Sequence, residues 1–144
     1  ATTVIYTLSL HDALPILDVG RREIMEDNRT EQKEALETLA EFNERLLKNM
    51  GIVIKELSGE RLDDTDKFLD SIISAINWEI EVMNGTMELL NEGSERINKQ
   101  VFNQKVLALG TGIKEKTDAK IAKALEELIP EFENLGNAAK EVIA

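Results

Sequence analysis

The sequence predicts an all-α fold, an antiparallel up-down four-helix bundle, and three observations predict it. Apolar residues recur at alternating spacings of four and three through most of the chain, the period of a helix face. The β-branched alternation that strands need is absent, while Leu, Ile, Glu, Lys and Ala dominate. The breaks between apolar stretches are short and carry residues that end or cap helices, so consecutive helices pack as antiparallel neighbours.

The first helix is expected over about 30–58. Thr30 can cap it, and Glu31 and Glu34 suit the positive end of its dipole. Leu36, Leu39, Leu46, Met50, Val53 and Leu57 form its seam, widened by Ala40, Leu47 and Ile54. Asn43 is the one polar residue in that seam, a position that either fixes register or bonds a neighbour. Gly51 marks a close helix crossing or is merely tolerated. Ser58-Gly59 closes the helix, since glycine accepts the positive φ of a helix stop.

The second helix, about 65–92, organises the rest because it is apolar on two sides. Leu69, Ile73, Ile76, Ile80, Met83, Met87 and Leu90 form an unbroken seam. Phe68, Ala75, Trp78, Val82 and Leu89 form a second row on nearly the opposite side, at about 100° per residue. Such a helix must be covered twice, by its own chain or by a partner. Asp63, Asp64 or Thr65 can cap it.

Asn91-Glu92-Gly93-Ser94 supplies a stop and a new cap, and a third helix follows over about 94–110 with Ile97, Val101, Phe102, Val106, Leu107 and Leu109. Gly110-Thr111-Gly112 reads as a hinge, break or frayed end, because two glycines cost about 2 kcal/mol inside a helix. The fourth helix, about 117–143, is capped by Thr117 or Asp118. It carries Ile121, Leu125, Leu128, Phe132, Leu135, Ala139 and Val142, and Pro130 should kink or divide it.

Residues 1–16, ATTVIYTLSLHDALPI, resemble the reading-frame translation of a common short-read sequencing adapter, apart from Val4. They are set aside as non-native, which leaves 17–29 as linker or early helical turn and 30–144 as one bundle domain. With them go the only His (His11), the only Tyr (Tyr6) and Pro15. The remaining 128 residues carry 27 acidic and 17 basic groups, a net charge of −10. That length suits one domain with a modest core.

What is missing limits the chemistry. Without Cys there is no disulfide, thiolate nucleophile or thiolate metal site. Without His there is no Ser–His relay and no ordinary zinc or iron site. The acidic balance repels phosphate backbones, which argues against nucleic acid. No run approaches 18 apolar residues, so no membrane span is expected and a cytoplasmic protein is the default. Asp63, Asp64 and Asp66 lack the spaced oxygens, central Gly and terminal Glu of a calcium loop. Gly110-Thr111-Gly112 has neither phosphate-loop spacing nor a preceding strand. No catalytic, cofactor-binding or metal-ligating set is assigned. Glu79, Glu81, Glu88 and Glu92 are the carboxylates that could hold magnesium for nucleotide hydrolysis. They are read as solvated or edge residues, because buried acids need pairing or a metal.

SIISAINWEIEVMN and AKIAKALEELIPEFENL resemble segments of small uncharacterised helical-bundle proteins of Gram-positive bacteria, which in turn resemble the acidic all-helical chaperones of flagellar export. The resemblance covers about residues 46–143, and Trp78 and Pro130 are its distinctive positions. It implies binding of another protein's helix and no catalysis. The residues themselves allow the same reading: a chaperone or adaptor that takes an amphipathic helix on Phe68, Ala75, Trp78, Val82 and Leu89, with Trp78 as anchor. Two alternatives remain open: that face closes a homodimer, or the protein is a carboxylate-only magnesium hydrolase. A further alternative is that Trp78 is simply core.

Overall fold

The computed structural model describes residues 28–144, so the adapter-like stretch and most of the linker expectation lie outside the described residues. Every regular element among those residues is a helix: α1 (Asn28–Leu57), α2 (Thr65–Gly85), α3 (Met87–Leu90), α4 (Lys99–Lys114) and α5 (Asp118–Ile143). One apolar cluster draws on all five. The most extensive backbone contact is between α1 and α5; α2 flanks α1 and α4 flanks α5.

The α1–α5 contact depends on a matched pair of unusual residues. Asn43 is 3% exposed, and its Nδ2 donates to the backbone carbonyl of Phe132 at 3.0 Å. Gly136 makes room for it, because a Cβ at that position would overlap Asn43 Nδ2. The polar slot in the first seam therefore bonds a neighbour and pins the register of two helices whose bonded residues lie 89 positions apart. Two ion pairs add to this contact, Arg61 to Asp118 at 2.9 Å and Lys140 to Glu44 at 3.5 Å.

Several boundaries differ from expectation, each for a local reason. The first helix is already formed at Asn28, the first of the described residues and upstream of Thr30. The second does not run to Glu92. It stops at Gly85, where the Thr86 hydroxyl donates back to the Val82 carbonyl at 2.8 Å, a bond that favours a bend, and only the short α3 follows. The connection after α3 covers 91–98, twice the length expected, and the helix after it packs on α5. That loop is tied by side chains: Asn91 Oδ1 accepts from the backbone N–H of Arg96 and of Ile97, both at 2.9 Å. The cap is Asn98 rather than Ser94, its Oδ1 accepting from Val101 N–H at 3.1 Å.

The expected break at Gly110-Thr111-Gly112 is not found, and α4 runs through it to Lys114. A Cβ on Gly112 would lie 3.1 Å from Ile121 N and 3.2 Å from Lys120 C, so glycine there lets α4 close on the first turn of α5. The helix then stops by a Schellman turn, with Thr117 N–H on the Gly112 carbonyl, Lys116 N–H on the Ile113 carbonyl, and Lys116 at φ 52°. Pro130 does not divide α5 either. It sits on the exposed side, where the carbonyl it deprives of a partner can face water. Phe102 of α4 meets Phe132 of α5 edge to face, with ring centroids 5.1 Å apart.

A methyl group on Gly51 would meet nothing within 4 Å, so this glycine marks no close crossing. Gly51→Ala is expected to stabilise the protein by about 1 kcal/mol, and Gly112→Ala to destabilise it by roughly 1–3 kcal/mol through crowding. Equal shifts of the two in urea unfolding would contradict the α4–α5 approach. Gly136→Ala is expected to cost roughly 1–3 kcal/mol in the wild type and close to nothing in an Asn43→Ala background. Additive effects across that double-mutant cycle would show that the two residues do not share a space.

Candidate functional site

Trp78 is not core. It lies on the surface of α2, 40% exposed, and packs edge-on against Phe42 of α1 at a centroid separation of 5.5 Å and an interplanar angle of 80°. Arg45 Cζ lies 5.7 Å from the Phe42 ring centroid, a cation–π distance that helps hold that ring in place. Phe68, Ala75 and Val82 are half-buried, their inner edges packed on the core.

The register of α1 against α2 follows from two contacts. Thr65 Oγ1 donates to Glu56 Oε1 at 2.8 Å near one end, and Phe42 meets Trp78 towards the other. The α1–α2 seam therefore carries a partly open apolar strip: Phe42 on one side; Phe68, Ala75, Trp78 and Val82 on the other. Leu89 does not belong to it. It is 3% exposed, because the break at Thr86 ends the continuous phase that would have kept it in line with Trp78.

Glu79 is the second finding, and it overturns the reading of the four glutamates as solvated or edge residues. Its relative exposure is 0%, and neither carboxylate oxygen has a hydrogen-bond partner among the described residues. Its four helical neighbours at three and four positions' distance are Ala75, Ile76, Val82 and Met83, so the carboxyl is enclosed by both apolar rows. Burial without a partner pushes its pKa up to about 8, so it holds its proton at neutral pH. Glu88 and Glu92 are exposed and Glu81 is half-buried. Glu92 takes two hydrogen bonds from Arg29, at 2.7 and 3.1 Å, which hold its carboxyl below the usual range. Among the described residues no three acidic or histidine side chains converge on a point a metal ion could occupy.

A recess of about 260 Å³ opens between α1 and α5 over Asn43, whose Oδ1 is buried with no partner among the described residues; Leu47, Glu44, Glu133 and Lys140 are among the residues lining it. A water could satisfy that oxygen in so polar a recess. The acidic loop 63–66 serves structure instead. Thr65 Oγ1 accepts from Leu62 N–H at 2.8 Å, and Arg61 bridges Asp66 and Asp118. The two carboxylates raise the Arg61 pKa, and that of Asp118 is lowered in return.

Fold and site together define an all-helical protein with an aromatic surface seam and a buried, unpaired acid beside it. The chain belongs to the family described as a domain of unknown function (DUF8042), whose model matches residues 34–138. No curated protein and no solved structure matches the chain. Among the described residues no helix is long and apolar enough to cross a membrane.

Glu79 gives a signed pH dependence. Its folded-state pKa lies above the ordinary 4.5, so the folded protein keeps a proton that the unfolded chain releases. Its contribution is therefore most favourable below about pH 4.5, declines as pH rises, and levels off above about 8. Relative to Glu79→Gln, the wild type should lose roughly 3 kcal/mol of stability between pH 5 and 7.5. Urea unfolding of both proteins across that range checks it, and parallel pH profiles would mean that Glu79 ionises freely in the folded state.

Proposed function

We propose that this protein is a cytoplasmic, non-catalytic interaction module, an up-down bundle of its four long helices that takes an amphipathic helix of a partner protein along the α1–α2 seam. The observation that carries this is Trp78: the only tryptophan, 40% exposed, braced against Phe42 and aligned with half-buried Phe68, Ala75 and Val82. Isolated exposed apolar residues are ordinary, but here the exposed Trp78 lies in one strip with four half-covered side chains, Phe42, Phe68, Ala75 and Val82. An apolar strip with one large aromatic anchor suits recognition of an amphipathic helix, where a few anchors supply most of the energy. A chaperone or adaptor role accords with the resemblance to export chaperones.

The formal net charge of −11 favours a basic or amphipathic partner over a second copy of the same chain, since two such surfaces repel. Tryptophan emission tests the reading, because Trp78 is the single source. Emission is expected to be red-shifted and independent of protein concentration, and to move blue when a partner helix is added. Emission already blue when dilute would bury Trp78 in the protein's own core. A blue shift on concentrating, with a doubled mass by sedimentation, would make the seam a homodimer interface.

A further inference from the structure

Glu79 has no evident structural task. It makes no hydrogen bond among the described residues, it is wholly enclosed, and an apolar side chain of similar volume would be expected to pack there at lower cost. Its position is specific, however. It follows Trp78 directly, and Ala75 and Val82, one turn to either side, are half-buried. The acid thus lies along the inner border of the open strip, beside its smallest residue, Ala75.

The charged side chains on the elements packed against α2 do not satisfy it. Glu37, Glu41 and Arg45 on α1 and Glu88 on α3 are all exposed, and none donates to a Glu79 oxygen. Arg45 instead lies over the Phe42 ring.

Building on the helix-docking reading above, we infer that the seam is built for an amphipathic helix with a lysine inside its apolar face, and that Glu79 is the acceptor for that lysine's ammonium group. Because the carboxyl is wholly enclosed in the free protein, docking has to displace the half-covered side chains over it; the long aliphatic stem then lies along the opened strip while its head pairs with the carboxylate. Pairing favours the ionised acid, so docking releases the Glu79 proton to the buffer while the lysine keeps its own. The overall acidity of the chain favours the same partner charge.

The probes are two Trp-free amphipathic helical peptides of about 18 residues, long enough to hold helix on a surface, identical except for Lys or norleucine at the centre of the apolar face. Each is titrated calorimetrically at pH 7 into the full chain and into Glu79→Gln, in two buffers of different ionisation enthalpy, with Trp78 emission followed in parallel. The wild type is expected to bind the Lys peptide at least about tenfold more tightly than the norleucine peptide and to release about one proton. Glu79→Gln should lose both the preference and the proton release. If both proteins bind both peptides alike without proton exchange, the seam docks helices but Glu79 does not read them. If neither peptide binds or shifts Trp78 emission, the docking reading falls as well.

Discussion

The bond from Asn43 to the Phe132 carbonyl, in the space left by Gly136, is the constraint from which the rest of the arrangement follows. Apolar seams slide: leucines and isoleucines at helical spacing pack almost as well one turn out of step. A buried amide that reaches a single backbone carbonyl does not allow that slip. With α1 and α5 locked, α2 and α4 are carried on their outer flanks. Phe102 on Phe132 and Gly112 against Ile121 seat α4, while Thr65 on Glu56 and Phe42 on Trp78 seat α2.

Most of the helical framework is legible in the sequence, because it depends on periodicity. The seams of the first and last helices stand out at four-three spacing, and so does the double-faced character of the second. What periodicity does not carry are the places where one side chain decides. α2 stops at Thr86, whose hydroxyl bonds the Val82 carbonyl, although Thr38 and Thr111 make the same bond inside unbroken helices. Asn98 rather than Ser94 caps α4, the residues before it being tied into a loop by Asn91 and Arg96. Arg96 gives two hydrogen bonds to the Leu90 and Glu92 carbonyls and lies 3.3 Å from Glu141, a role that no local pattern announces. The Gly110–Gly112 segment looks like a break from propensity alone. Its second glycine is required by a neighbour that only tertiary structure supplies.

The candidate site shows the same division. The half-open row of Phe68, Ala75, Trp78 and Val82 follows from wheel geometry, and Leu89 leaves it only because the helix is interrupted. Tracing seams through apolar residues alone puts Glu79 among the solvated acids. The contrary signal is present in the sequence: a glutamate whose four nearest helical neighbours are all apolar is an acid set between two apolar rows. Weighing each acid by its helical neighbours, rather than following seams, finds it. Its cost to stability and its place beside the open strip are two aspects of one arrangement, in which an acid is kept dry where a partner could make use of it.

The long sequence separation at the α1–α5 lock also has a bearing on biosynthesis. Phe132 emerges from the ribosome 89 residues after Asn43, a delay of roughly 5–20 s at ordinary elongation rates. During that interval the seam of α1 has only α2 to lean on, and the groove destined for α5 faces the cell. The nascent chain is therefore a helical hairpin with an uncovered flank, and its exposure to aggregation or to premature capture is greatest before the final helix is made.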